Sequence, residues 1–158
     1  YVACDYGLNQ ACVIVEEECY PKTGSMPYEN KFGAGLYGGK NQYTFDNTLN
    51  KEDLLISIRR SDNKYRIRSV FIRNGESFTV KNIPNGRYII EEMNGNKWTL
   101  GILRNDLITR GGFLENENFE RTNLIIDLYN GSGNSTIRWA VPGGTLTSEA
   151  ISENDFLN

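Results

Sequence analysis

Histidine is absent from the 158-residue chain, and with it go the Ser-His-Asp and Cys-His constellations and the commonest general base near neutral pH. Any proton transfer would fall to carboxylates. The densest acidic cluster near aromatic residues is "ENENFE", which holds Glu115, Glu117 and Glu120. Two carboxyl groups about 5–10 Å apart can cleave a glycosidic bond, but linear spacing does not set two of these acids across a bond. The glycine-bearing stretch "GAGLYGG" at 33–39 has some look of a dinucleotide fingerprint. It neither follows a strand nor opens a helix, and its third glycine is misplaced. It reads as a loop that needs positive φ or close backbone contact. No P-loop occurs, so the expected catalytic set is none and the expected cofactor is none.

Thiols are the other reactive groups. Cys4, Cys12 and Cys19 all fall within the first twenty residues. In an oxidising compartment they allow three single-bridge pairings, each leaving one thiol over. Cys12 sits in the apolar "QACVIVE", which suits a buried free thiol, whereas Cys4 and Cys19 have polar neighbours. The reading leans to a Cys4–Cys19 bridge with Cys12 free. Structural zinc sites want four ligands at short spacings, which these cysteines do not supply, and the loop pairs Asp46-Asn47, Glu52-Asp53, Asp62-Asn63 and Asn105-Asp106 do not fit a calcium loop. No metal is expected.

The charge balance, 17 Lys+Arg against 20 Asp+Glu for a net charge of -3, offers no basic stripe for phosphate neutralisation, and nucleic acid is not an expected partner. Arg59, Arg60, Lys64, Arg66, Arg68 and Arg73 form the densest basic stretch. On strands they read as a solvated face, with phosphate or acid binding as the alternative. No run approaches the roughly 20 apolar residues of a membrane span. The chain begins at Tyr1 rather than Met, which is compatible with an export signal or anchor having been removed and leads us to expect a secreted or envelope protein. Aromatic residues make up 11 % of the chain, and Tyr and Trp favour protein contacts and sugar platforms. Tyr28, Phe32, Tyr37, Trp98, Phe113 and Phe119 are therefore the binding candidates, set against the plainer reading that Pro27-Tyr28 and Gly112-Phe113 cap the open end of a sandwich.

The elements that would position these groups read as strands. Leu54, Ile56 and Ile58 alternate, as do Tyr65 and Ile67, Val70 and Ile72, Phe78 and Val80, and Tyr88 and Ile90. Asn-Gly pairs at 74–75, 85–86 and 94–95 suit type I′ hairpins. They predict strands near 65–73, 77–82, 87–93 and 97–103 that follow one another as an antiparallel meander. A later pair around Leu124, Ile126 and Leu128, then Ile137, Trp139 and Val141, repeats the pattern across a Gly-Ser-Gly turn. The expectation is one all-β, antiparallel β-sandwich built from hairpins over 23–158, preceded by a cysteine-bearing strand segment over 1–22. Between them "TGSMPYENKFGAGLYGGKNQYTF" reads as a long loop or open strand.

The phrase "FTVKNIPNGRY", Phe78 to Tyr88, resembles the turn signature of prealbumin-like, carboxypeptidase-regulatory-type sandwiches. The resemblance implies that Pro84 and Gly86 make the turn, Gly86 with positive φ, and that Tyr88 plugs the core. "TGSMPYENKFGAGLY", "VFIRNGESFTVKNIPNGRYIIEEMNGNKW", "RGGFLENENF" and "GGTLTSEAISENDF" together are similar to a family of Bacteroidota proteins over about residues 23–158. That resemblance implies a prealbumin-like sandwich and brings no activity with it.

The expected function is a non-catalytic structural or partner-binding module of the bacterial envelope or cell surface, with a protein partner, self-association or a glycan as ligand. The alternative is a carbohydrate-binding or carboxylate-dependent glycan hydrolase domain. Ala11, Cys12, Val13, Ile14 and Val15 are expected to form an edge strand on their own sandwich or on a neighbouring subunit.

Overall fold

The computed structural model describes residues 20–100, 103, 104, 107, 108, 110–131, 134–139 and 142–158. Cys4, Cys12, Cys19 and the expected assembly strand at 11–15 lie outside the described residues. Among the described residues the strands follow in chain order: β1 (Asn41–Asp46), β2 (Asp53–Arg60), β3 (Arg66–Ile72), β4 (Ser77–Ile83), β5 (Gly86–Thr99), β6 (Leu103–Arg104), β7 (Leu107–Ile108), β8 (Gly112–Thr122), β9 (Ile126–Leu128), β10 (Asn134–Arg138) and β11 (Ser148–Ala150). Two short helices, α1 (Glu29–Phe32) and α2 (Glu153–Leu157), flank them. No helix among the described residues is long and apolar enough to cross a membrane.

The strands form an all-β sandwich. A small sheet, β10-β1-β4, faces a large one, β11-β8-β5-β2-β3, with β9 also paired to β5. Most neighbours are antiparallel, but β1 and β10 run parallel. Between the sheets lies an apolar core: Phe45, Val80, Ile83 and Ile137 from one side meet Leu54, Ile56, Ile58, Val70, Tyr88 and Ile90 from the other. Trp139, whose placement alternation leaves ambiguous, is buried in that core.

The expected meander does not form, although Ile67, Val70, Ile72, Val80, Tyr88 and Ile90 do face the core; Tyr65, which alternates with Ile67, is instead 55 % exposed. β3 pairs with β2, β4 pairs with β1, and 87–99 is a single strand. At 74–75 only Gly75 has positive φ, +74°. A type I′ turn needs positive φ at both central residues, so this one instead turns the chain from the large sheet to the small one. At 85–86 the chain crosses back. Gly86 is extended rather than left-handed, and the positive φ in this region belongs to Asn82. Tyr88 is fully buried as expected, its hydroxyl donating to the Pro84 carbonyl at 2.8 Å. At 94–95 there is a bulge inside β5, where pairing to β8 slips between Asn94 and Asn96. A Cβ on Gly95 would lie 2.6 Å from Phe113 Cβ and 2.8 Å from the Glu115 carbonyl oxygen, so glycine is required there by close approach. β9 and β10 likewise join different sheets rather than each other.

The outer face of the large sheet carries a second core. Leu55, Phe71, Met93, Trp98 and Phe113 are covered by Tyr28 and by Phe156 of α2, with Tyr20, Phe32, Phe119, Ile151 and Leu157 packed around them. The stretch expected as a loop or open strand instead contains α1 and β1. It also seals the edge of β3, where Gly24 N–H donates to Phe71 O and Leu36 N–H to Ile67 O. Residues 20–22, grouped with the N-terminal segment by sequence, pack on the sandwich: Arg73 donates to the Pro21 and Tyr20 carbonyls.

Candidate functional site

β5 places consecutive acids on opposite faces of the large sheet, because side chains alternate along a strand. Glu91 faces outward beside the second core, and Glu92 faces inward with Tyr88 and Ile90. Each opens onto a concavity.

The outer concavity is a cleft of about 750 Å³ lined by five cations, Lys31, Arg59, Lys64, Arg66 and Arg121, against two acids, Glu91 and Asp155. Glu91 is 1 % exposed and Arg59 is 3 % exposed, with Arg59 Nε and Glu91 Oε2 in ion contact at 2.6 Å. Arg121 donates to the other oxygen of Glu91, at 2.7 Å from Nη2 and 3.0 Å from Nε. Arg59 also donates to the Lys64 carbonyl at 2.9 Å and to the Phe156 carbonyl at 2.8 Å. The C-terminal carbonyls of α2 are thus capped by guanidinium, the favourable sign for that end of a helix.

Arg66 completes the cleft. Its Nε donates to Ser57 Oγ at 2.6 Å, its Nη2 donates to the Phe156 carbonyl, and its guanidinium lies over the Phe32 ring, 3.5 Å from the centroid. No carboxylate forms a salt bridge with it among the described residues. Burial, reinforced by the charge of Arg59, pushes its pKa down to about 10. The same burial lowers that of Arg59. This is the opposite of the expected solvated basic face: Arg59 and Arg68 are buried, Arg68 donating to the Lys81 carbonyl at 3.1 Å.

The inner concavity is a pocket of about 210 Å³ at the edge of the apolar core, lined by Glu92, Glu120, Thr122, Arg138, Trp139 and Leu146 among others. Glu92 on β5 stands directly opposite Glu120 on β8. Burial first, and then the charge of Glu120, pushes the Glu92 carboxyl up to about 8. Trp139 and Asn94 act in the opposite sense, lowering it, while Oε2 has no partner among the described residues.

The sequence-selected residues divide between these places. Tyr28, Trp98 and Phe113 are buried in the second core, and Phe32 and Phe119 are packed against it. They cover the outer face of the large sheet rather than an open end of the sandwich, and of the six candidates Phe32 lines the cleft. Tyr37 is 56 % exposed, with the Arg68 guanidinium 3.4 Å from its ring centroid. Of the acidic cluster, Glu115 pairs with Lys97 at 2.5 Å on the surface. Glu117 is held by Arg110 at 2.5 Å and by the Phe113 N–H at 2.8 Å. Glu120 stands opposite the carboxyl of Glu92, a residue outside the sequence-selected set. The signal was present in "YIIEEM", two acids in an apolar run on one strand. Set beside known proteins, the chain matches no family model, no curated protein and no solved structure.

Proposed function

We propose that the protein is a non-catalytic structural or partner-binding module of the bacterial envelope or cell surface, and that it engages an acidic partner through the arginine-lined cleft. The observation that carries this reading is Arg66, a guanidinium fixed by a hydroxyl, a carbonyl and an aromatic ring but joined to no carboxylate among the described residues. Arginine held in this way keeps its charge and its remaining N–H donors oriented toward carboxylates, and its ordering cost has already been met on folding. The cleft gathers an excess of cations on a chain whose net charge is -3, which favours acidic partners over the rest of the surface. The envelope location and self-association rest on the cysteine-bearing N-terminal segment and on the resemblance to prealbumin-like Bacteroidota proteins.

A hexaglutamate peptide carrying a fluorophore tests the cleft by anisotropy. Binding at low salt should weaken with added salt, and Lys31→Gln with Lys64→Gln should weaken it about tenfold, from two exposed ion pairs near 0.7 kcal/mol each. Both lysines are exposed, so the fold stays intact. Equal affinity for the double variant, or no binding at low salt, removes the reading. The competing glycan hydrolase reading has its carboxyl pair in Glu92 and Glu120, but a space of about 210 Å³ beside a buried acid suits one small group better than two sugars flanking a bond.

A further inference from the structure

Glu92 is 2 % exposed, and nothing among the described residues bonds its Oε2. A buried acceptor without a partner is costly and calls for a ligand, water or ion. Ionising Glu92 would set like charges directly opposite across a strand pair, which is destabilising, because Glu92 faces Glu120. The remaining charged groups near Glu92 do not relieve the pair. Arg138, on β10, is committed to Asp46 at 2.6 Å, and Glu52, before β2, raises the Glu92 pKa further. Glu120 is acceptor to Asn118 Nδ2 at 2.6 Å and to the Ser148 hydroxyl. The pocket therefore has two carboxyl groups, hydroxyl oxygens and an apolar wall of Trp139 and Leu146.

We propose that this pocket binds a primary alkylammonium group, with its ammonium head between Glu92 and Glu120 and its aliphatic stem along Trp139 and Leu146. An ammonium has three N–H donors and no acceptor, so it satisfies the open oxygen and places a positive charge between the facing acids, offsetting their repulsion. A hydroxyl or amide ligand would leave the charge uncompensated, and an anion would be repelled. The inference is independent of the acidic-partner cleft, which lies on the other face of β5.

Binding must be coupled to a proton. Glu92 titrates near 8 without ligand, so at pH 7 it is mostly protonated and must ionise to receive the cation. Titration calorimetry with n-butylammonium chloride, in two buffers of different ionisation enthalpy, should show release of about one proton per amine bound at pH 7. The apparent affinity should rise about tenfold from pH 6 to pH 7 and level off above pH 8. Glu92→Gln keeps the shape of the neutral acid, so the fold should survive. In that variant proton release and the pH slope should both vanish. Nα-acetyl-lysine methylamide serves as a second probe: binding as strong as that of butylammonium assigns the pocket to a lysyl side chain, and binding of butylammonium alone assigns it to a small free amine. The wild-type measurement stands even if the variant fails to fold. No binding of either probe at pH 8, heat that is independent of buffer, or a proton release retained in Glu92→Gln would overturn the proposal.

Discussion

Glu91 and Glu92 are chain neighbours with nearly equal burial, yet the two faces of β5 treat them differently. On the outer face two arginines meet Glu91, and the carboxylate becomes the centre of a charged network that also ties down α2. On the inner face Glu92 meets a second glutamate and the apolar walls of Trp139 and Leu146. It is therefore held in its neutral form, because burial without a counter-charge disfavours the ionised one. The difference teaches that burial alone does not set a carboxyl's behaviour. What decides it is whether the facing strand supplies a cation, and that follows from the pairing of strands rather than from the residues beside it in sequence.

The contrast can be broken at three points. Removing the outer acid should have the largest effect: Glu91→Ala leaves the buried Arg59 without its carboxylate and should cost about 3–5 kcal/mol, read as a lower urea midpoint at pH 7. A loss under 1 kcal/mol would mean that Arg59 reaches solvent on its own. The inner acid should show its difference through pH. Glu92 titrates near 8 when folded and near its ordinary 4.5 when unfolded. Between those values the folded protein keeps a proton that the unfolded chain has lost. Its contribution is thus fully present below pH 4.5 and is lost at about 1.4 kcal/mol per pH unit as pH rises toward 8. The difference in stability between wild type and Glu92→Gln should follow that slope. A flat difference would show that the inner acid is ionised or solvated.

The smallest effect is expected at Arg66. Arg66→Lys keeps the charge but loses the planar stack on Phe32 and the fixed fork. It should cost about 1 kcal/mol in thermal stability while weakening hexaglutamate binding more than its charge implies. If lysine binds the peptide equally well, the outer face acts through charge alone and its geometry is incidental.

Much of the fold was legible. Period-2 alternation marks the inward faces of β2 to β5, and the lack of any long helical period leaves only an all-β solution. Alternation sets Tyr88 on one face with Ile90, and the resemblance implies that it plugs the core; it is fully buried there. The Asn-Gly pairs misled because the dipeptide tolerates several backbone paths: a turn between sheets at 74–75, a crossing at 85–86 and a bulge at 94–95. Which outcome occurs depends on where the next strand finds an open edge. The strand that carries Phe113 and Phe119 is hard to see because "ENENF" is polar. β8 is in fact a strand whose outer positions are solvated along part of its length.

Composition by itself determined the absence of histidine chemistry, the all-β character and the small net charge, since these depend only on which residues exist and how they alternate. Only the tertiary structure decided that Arg59, Arg121 and Glu91 would share one face, that Arg66 would lie over Phe32, and that Glu92 would face Glu120 beneath Trp139. Each of these contacts joins strands or segments distant in sequence. Strand register is settled by burying the whole inward face at once, so no local stretch of the chain specifies it.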